Sequence, residues 1–151
     1  MLSDYLGVNE LVKEVHQLHV QYRPDVYVKS ESPLNQMYFE QLLNDSKTTI
    51  WVVENQLNEL VAYCIVKIMK SAGLSILKPV SYAFIDDFCV SQTYHKQGIG
   101  KKLFEQVKED AKHQGATSLQ LVVWEFNRDA LLFYEALGMQ VRNRRLEISL
   151  S

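Results

Sequence analysis

The stretch SYAFIDDFCVSQTYHKQGIGKKLFEQVKEDAKHQGATSLQLVVW, residues Ser81 to Trp124, decides the fold. Its first ten residues are rich in β-branched and aromatic side chains and read as a strand. A turn with two glycines, Gly98 and Gly100, follows. From Ile99 the residues Leu103, Val107 and Ala111 keep to one helical face until Gly115, which is placed to end the helix in the left-handed conformation. SLQLVVW, residues 118–124, is apolar at nearly every position, as a parallel strand covered on both faces would be. Strand, turn, helix and strand in this order form a right-handed βαβ unit. Ligands of such units settle at the carboxyl ends of the parallel strands, where the helix N-terminus presents unpaired N–H groups.

Outward from this unit, Val8, Leu11, Val12, Val15, Leu18 and Val20 recur at mostly helical spacing up to Tyr22, before RPD at 23–25 breaks the pattern. SPLNQMYFEQLLND predicts a second helix with Ser32 as its cap and Pro33 in its first position. TTIWVVE and ELVAYCIVKIMK, joined by NQLN at 55–58, read as an antiparallel hairpin. Downstream, Asn127 caps a helix carrying Ala130, Phe133, Tyr134 and Leu137 on one face, closed by Gly138. MQVRNRRLEISL is expected to end the chain as a strand or a short hairpin. The fold class is therefore α/β: a mixed, mostly antiparallel sheet with a central parallel βαβ pair, flanked by helices.

The 151 residues, 47% hydrophobic, suit one domain over 1–151 that needs neither disulfides nor structural metal. Sixteen basic and eighteen acidic side chains leave a net charge of -2, which gives no general attraction to nucleic acid or membrane. Cys64 and Cys89 lie inside apolar runs and read as buried thiols of a reduced compartment. No stretch approaches the roughly 20 apolar residues of a spanning helix, and the expected location is the cytoplasm.

The glycine turn admits several readings, which spacing and charge separate. A Walker A loop needs a glycine where His95 stands, and a Ser or Thr after its lysine. A dinucleotide fingerprint needs a third glycine where Leu103 stands. A plain turn using glycine for tight packing remains. Against it, Lys96, Lys101 and Lys102 crowd a helix N-terminus, where the macrodipole disfavours each cation by roughly 0.3–1 kcal/mol. A polyanion reverses that penalty, cradled by the amides of Gln97 to Lys101.

These residues resemble the GNAT superfamily of acyl-CoA-dependent N-acyltransferases. Its signature is Arg or Gln, two residues, Gly, any residue, then Gly or Ala, after a strand ending in an apolar triplet. IDDFCVSQTYHKQGIGKKL aligns to it without a gap, and NRDALLFYEALGM matches the family's following helix. The resemblance covers about the last 70 residues well and the first half by the order of its elements. His95 departs from the signature's Arg or Gln. The strand that generally opens the family has only ML ahead of SDYLG, so it is very short or absent.

The resemblance implies acetyl-CoA as acyl donor. Phe88, Cys89 and Val90 then offer backbone groups to the pantetheine arm, Cys89 through its main chain. His95, Lys96, Gln97, Gly98, Ile99, Gly100 and Lys101 wrap the pyrophosphate, Asn127 meets the pantetheine or adenosine end, and Phe133 lines the groove. Aminolysis of a thioester requires one group to take a proton from the amine and another to give one to the thiolate. The resemblance places Tyr134 as the acid and Asp86 as the base, with Asp87 expected on the opposite side of the strand. The implied reaction is direct N-acetylation in a ternary complex, with a small-molecule or protein amine as acceptor and no nucleic acid or membrane partner. A module that binds acyl-CoA without turnover is the alternative from another class, and a homodimer is left open.

Other groups are weaker candidates. His16 and His19 share a helix face, but no third residue has metal-ligand spacing, so no metal is expected. Arg23, Asp25 and Tyr27 lie where the family builds its acceptor site, though a hydrogen-bonded loop is their default. RNRR at 142–145 reads as a solvated face.

Overall fold

A computed structural model describes all residues, Met1–Ser151. A single 3₁₀ turn, Leu2–Asp4, leads into α1, Tyr5–Tyr22, so no strand precedes the first helix. Helix α2 is Gln36–Asn44, and the hairpin is β1, Thr48–Glu54, and β2, Leu60–Lys70. Strand β3, Ser81–Val90, leads through the glycine turn into α3, Ile99–His113, then β4, Leu119–Leu121, and α4, Arg128–Ala136. The sheet order is β1-β2-β3-β4, antiparallel except for the parallel step from β3 to β4.

Alternation along β2 sorts the core into two layers. Ala62, Cys64 and Val66 turn to α3, where they meet Leu103, Phe104, Val107 and Ala111. Tyr63 and Ile65 turn the other way, against Val8 and Leu11 of α1 and Phe39 and Leu42 of α2. The period of two places successive side chains on opposite faces, so this one strand needs apolar residues at every central position.

Three expectations are corrected. Helix α2 is capped by Asn35, whose side chain accepts the Tyr38 N–H at 3.0 Å, rather than by Ser32. Leu34 is buried against α1 and its amide donates to Asn9, which keeps Leu34 out of the helix. The strand expected over 118–124 pairs with β3 only through Leu119–Leu121, all half-buried, and Val122 is 84% exposed. The last twelve residues form neither strand nor hairpin, because their backbone meets no partner in this chain. No helix is long and apolar enough to cross a membrane.

Candidate active site

Parallel strands β3 and β4 pair only at Ala83–Leu119, Phe84–Gln120 and Ile85–Leu121. Beyond Ile85 they part. Residues Phe88–Val90 keep their β2 neighbours, Cys64, Tyr63 and Ala62, but have no strand on the β4 side. An edge with no neighbouring strand thus opens there, at the carboxyl end of the parallel pair.

The glycine turn closes the top of that opening. Lys96 and Gly98 both have positive φ, 64° and 79°, alternating with ordinary residues. Such alternation turns successive amides toward one side and forms an anion-binding nest. The N–H groups of Lys96, Gln97, Gly98, Ile99, Gly100 and Lys101 have no acceptor within the protein. Lys96, Lys101 and Lys102 are exposed, and none forms an ion pair. Ile99 instead turns inward to the α3 core.

The two glycines answer to different demands. At Gly98 an added Cβ meets nothing within 4 Å, and glycine is required by its left-handed φ alone. At Gly100 a Cβ lands 3.2 Å from the Phe133 ring and 3.3 Å from Val90. Its hydrogen lets α4 pack on the first turn of α3, so the tight-packing reading holds for this position.

His95 points back into the strand. Its Nε2 lies 2.6 Å from the Val90 carbonyl, tying the turn to the end of β3 rather than presenting the ring to the free amides. Asn127 accepts the Ala130 N–H at 3.2 Å and so caps α4 as its sequence position requires. Cys89 is buried and its thiol reaches the Leu11 carbonyl at 3.5 Å. Burial pushes the thiols of Cys89 and Cys64 well up, with Asp87 adding to both, so neither is a thiolate nucleophile.

Tyr134 stands beside the opening among aromatic rings, with centroids at 5.2 Å to Phe133 and 6.2 Å to Phe88. Its hydroxyl has no hydrogen-bond partner in the protein and is not sealed from solvent. Burial of the ring, then Cys64, Asp87 and Cys89, raises its pKa well above the ordinary phenol value. The phenol therefore keeps its proton near neutrality and can donate it.

The carboxylates depart from the expected alternation. Ile65 pairs with Asp87 and Val66 with Ile85, which leaves Asp86 as a β-bulge. Asp86 and Asp87 consequently face the same side, that of α1 and α2. Asp87 takes a hydrogen bond from Tyr63 and accepts the Phe88 N–H, and burial raises its affinity for a proton. Asp86 is more open: its Oδ2 lies 3.6 Å from Lys67 Nζ and 3.5 Å from the Tyr38 hydroxyl of α2.

Sequence reading missed a second aromatic group, on the other side of the opening. Trp124 Nε1 donates to Tyr27 Oη at 2.9 Å, Arg23 lies 4.8 Å over the Trp124 ring, and Phe126 stacks between Trp124 and Tyr22. Arg23 also binds Asp25 in bidentate fashion, as a hydrogen-bonded loop would. His16 meets the Val28 carbonyl, and His19 stacks on Tyr27. The signal available was WEF at 124–126 directly after an apolar run.

Comparison with known proteins gives the family. Residues 12–139 match the Acetyltransferase (GNAT) family. A stretch of 57 residues is 39% identical to thialysine N-epsilon-acetyltransferase of Bos taurus, covering 38% of this chain and 34% of that protein. The chain thus spans about a third of that relative's length. Streptothricin acetyltransferase A of Bacillus subtilis is 25% identical over 137 residues, 88% of this chain and 76% of that protein. Among solved structures, a mutant BH1408 protein from Bacillus halodurans superposes with a TM-score of 0.97 at 28% identity, covering 100% of this chain and 96% of that one. With the family's profile running through both the glycine turn and α4, this chain belongs to the GNAT acetyltransferase family.

Proposed function

We propose that residues 1–151 act as one unit that moves an acetyl group from acetyl-CoA to a primary amine, by direct transfer in a ternary complex. The observation that carries this is the half-buried Tyr134, whose hydroxyl has no partner in the protein, beside a strand edge without a strand neighbour and capped by unpaired amides. Those features fit the donor: the nest and three lysines for a diphosphate, the edge at Phe88–Val90 for the amides of pantetheine. The lysines and amides leave an anion as the ligand they would best hold. When bound, acetyl-CoA supplies a thioester carbonyl for the amine to attack and a thiolate to leave.

The chain's own groups supply the proton transfers. Asp86, placed by the bulge and held by Lys67 and Tyr38, accepts the proton of the incoming ammonium, directly or through water. Tyr134 gives its proton to the sulfur as the C–S bond breaks. Neither cysteine is fit for a covalent acetyl intermediate, since both are buried and protonated, which favours attack by the amine itself. Relatives named for thialysine and streptothricin support a small-molecule amine as acceptor. The two free thiols suit a reducing cytoplasm.

Thiol release from acetyl-CoA across a panel of diamines, amino acids and aminoglycosides tests the reading. Amine-dependent release supports transfer. Binding of acetyl-CoA without release with any amine supports the non-catalytic alternative.

The lysines give a second check. Changing Lys101 and Lys102 together to Ala removes two cations from the α3 N-terminus, so the ligand-free protein should melt slightly higher. The same change should shrink the melting shift produced by coenzyme A and flatten its salt dependence. Equal shifts before and after would separate these lysines from the diphosphate.

A further inference from the structure

Of the four histidines in the chain, three are accounted for. His16 and His95 are each tied to a backbone carbonyl, and His113 is exposed at the end of α3. His19 is half-buried, yet its ring nitrogens have no hydrogen-bond partner in the protein and are not sealed from solvent. The ring is held all the same: it stacks on Tyr27 at 4.9 Å and meets Phe126 edge-on at 5.7 Å.

The path of α1 gives this histidine its place. Leu11 lies against the Cys89 thiol, and Glu14 accepts from the Ser91 hydroxyl and the Gln92 N–H, all on the β3 side. Further along, His19 and Tyr22 rest on Phe126, beyond the end of β4. Helix α1 therefore spans the gap where β3 and β4 part, on the face to which Asp86 and Asp87 turn. Tyr134 belongs to the opposite face, that of α3. His19 thus borders the opening on the carboxylate side.

Proton balance leaves a task for such a group. An alkylammonium gives up two protons on its way to an amide: one frees the lone pair that attacks, and one leaves the nitrogen after the C–N bond forms. The electron pair of the C–S bond departs on sulfur with the Tyr134 proton; one of the two amine protons restores the phenol and the other goes to solvent. Asp86 takes the first, and a carboxylate that has done so has become a neutral acid. The second needs another acceptor. By then the nitrogen is strongly acidic, and a base of imidazole strength suffices.

We propose, resting on the transfer reading above, that His19 is a second catalytic base, whose free imidazole nitrogen takes the proton that leaves the amine nitrogen after the C–N bond has formed. Burial, then His16, lowers the proton affinity of this ring below the ordinary imidazole value, so it is neutral near pH 7 and able to accept. The titratable groups around it are His16 and Tyr22 of α1, Tyr27 stacked on it, and Glu125 next to Phe126 in the chain; Arg23 and Asp25 are bound to each other.

His19→Phe tests this, because phenylalanine keeps the stacking on Tyr27 and removes both nitrogens. Thiol release is measured against pH with whichever amine of the panel the wild type turns over fastest, and the His19 ring is titrated by NMR in the ligand-free protein. The wild-type kcat/KM, which reports the free enzyme, should fall as pH drops through the His19 titration. In the variant kcat should be lower by roughly 10²-fold, the low end for general base catalysis, and that acid limb should vanish while calorimetric acetyl-CoA affinity holds. His19→Gln, which gives up the stacking, should lose the limb too. A folded His19→Phe protein with wild-type kcat or an intact limb overturns the proposal and leaves the transfer reading standing. So does an NMR titration that fails to coincide with the limb, a comparison that needs no variant. A wild type that releases no thiol with any amine of the panel overturns both.

Discussion

Turnover by the Tyr134→Phe variant with a good amine acceptor is expected to fall by roughly 10²- to 10⁴-fold, the scale of general acid catalysis. The substitution deletes one hydroxyl that has no partner within the protein, so nothing internal is left unsatisfied and the fold should be unchanged. The ring keeps its contacts with Phe133, Phe88 and Phe104, and affinity for acetyl-CoA should hardly move. The loss should appear in kcat rather than KM, because the proton is needed as the C–S bond breaks and not in the ground state. Steady-state kinetics with calorimetry of acetyl-CoA binding separates the two. Wild-type kcat under conditions where chemistry limits the rate would reduce Tyr134 to a packing residue.

Gly98→Val should weaken coenzyme A binding by about a hundredfold. The estimate takes two amide-to-phosphate hydrogen bonds at about 1.5 kcal/mol each, the low end for a charged acceptor, with about 1.4 kcal/mol per tenfold. At φ 79° any L-residue is strained, and the left-handed region costs roughly 1–2 kcal/mol. An added Cβ meets no protein atom within 4 Å, so the core stays untouched while the strained backbone displaces the neighbouring amides. Gly100→Ala makes the contrast: its methyl presses on Phe133 and Val90, so it should lower the melting temperature as well as affinity. Unchanged coenzyme A affinity in a folded Gly98→Val protein would remove the diphosphate from the turn.

Local chemistry settled those parts of the fold that local rules govern. Strand β3 runs over Ser81–Val90 as its composition predicts, α3 starts at Ile99 and is followed by Gly115 at positive φ, and α4 lies between the Asn127 cap and Gly138. Each of these depends on a few neighbouring residues: a period, a cap, or a backbone angle that glycine adopts without strain. The glycine turn and its crowded lysines were legible for the same reason, as a helix N-terminus suited to an anion.

Tertiary structure decided what depends on a partner distant in sequence. Period-two reasoning set Asp86 and Asp87 on opposite faces; the register of β2 against β3 inserts a bulge there and turns both to one face, and only the pairing of two strands can create that extra residue. The close approach of Phe133 to Gly100, which leaves no room for a Cβ there, depends on α4 folding back onto the first turn of α3. The apolar run 118–124 promised a full strand, yet β3 and β4 part after Ile85, and the parting is what exposes the edge of Phe88–Val90. The alternation of Leu146, Ile148 and Leu150 was in the sequence from the start. Whether it becomes a strand rests on a neighbour to hydrogen-bond with, and within one chain that neighbour is missing.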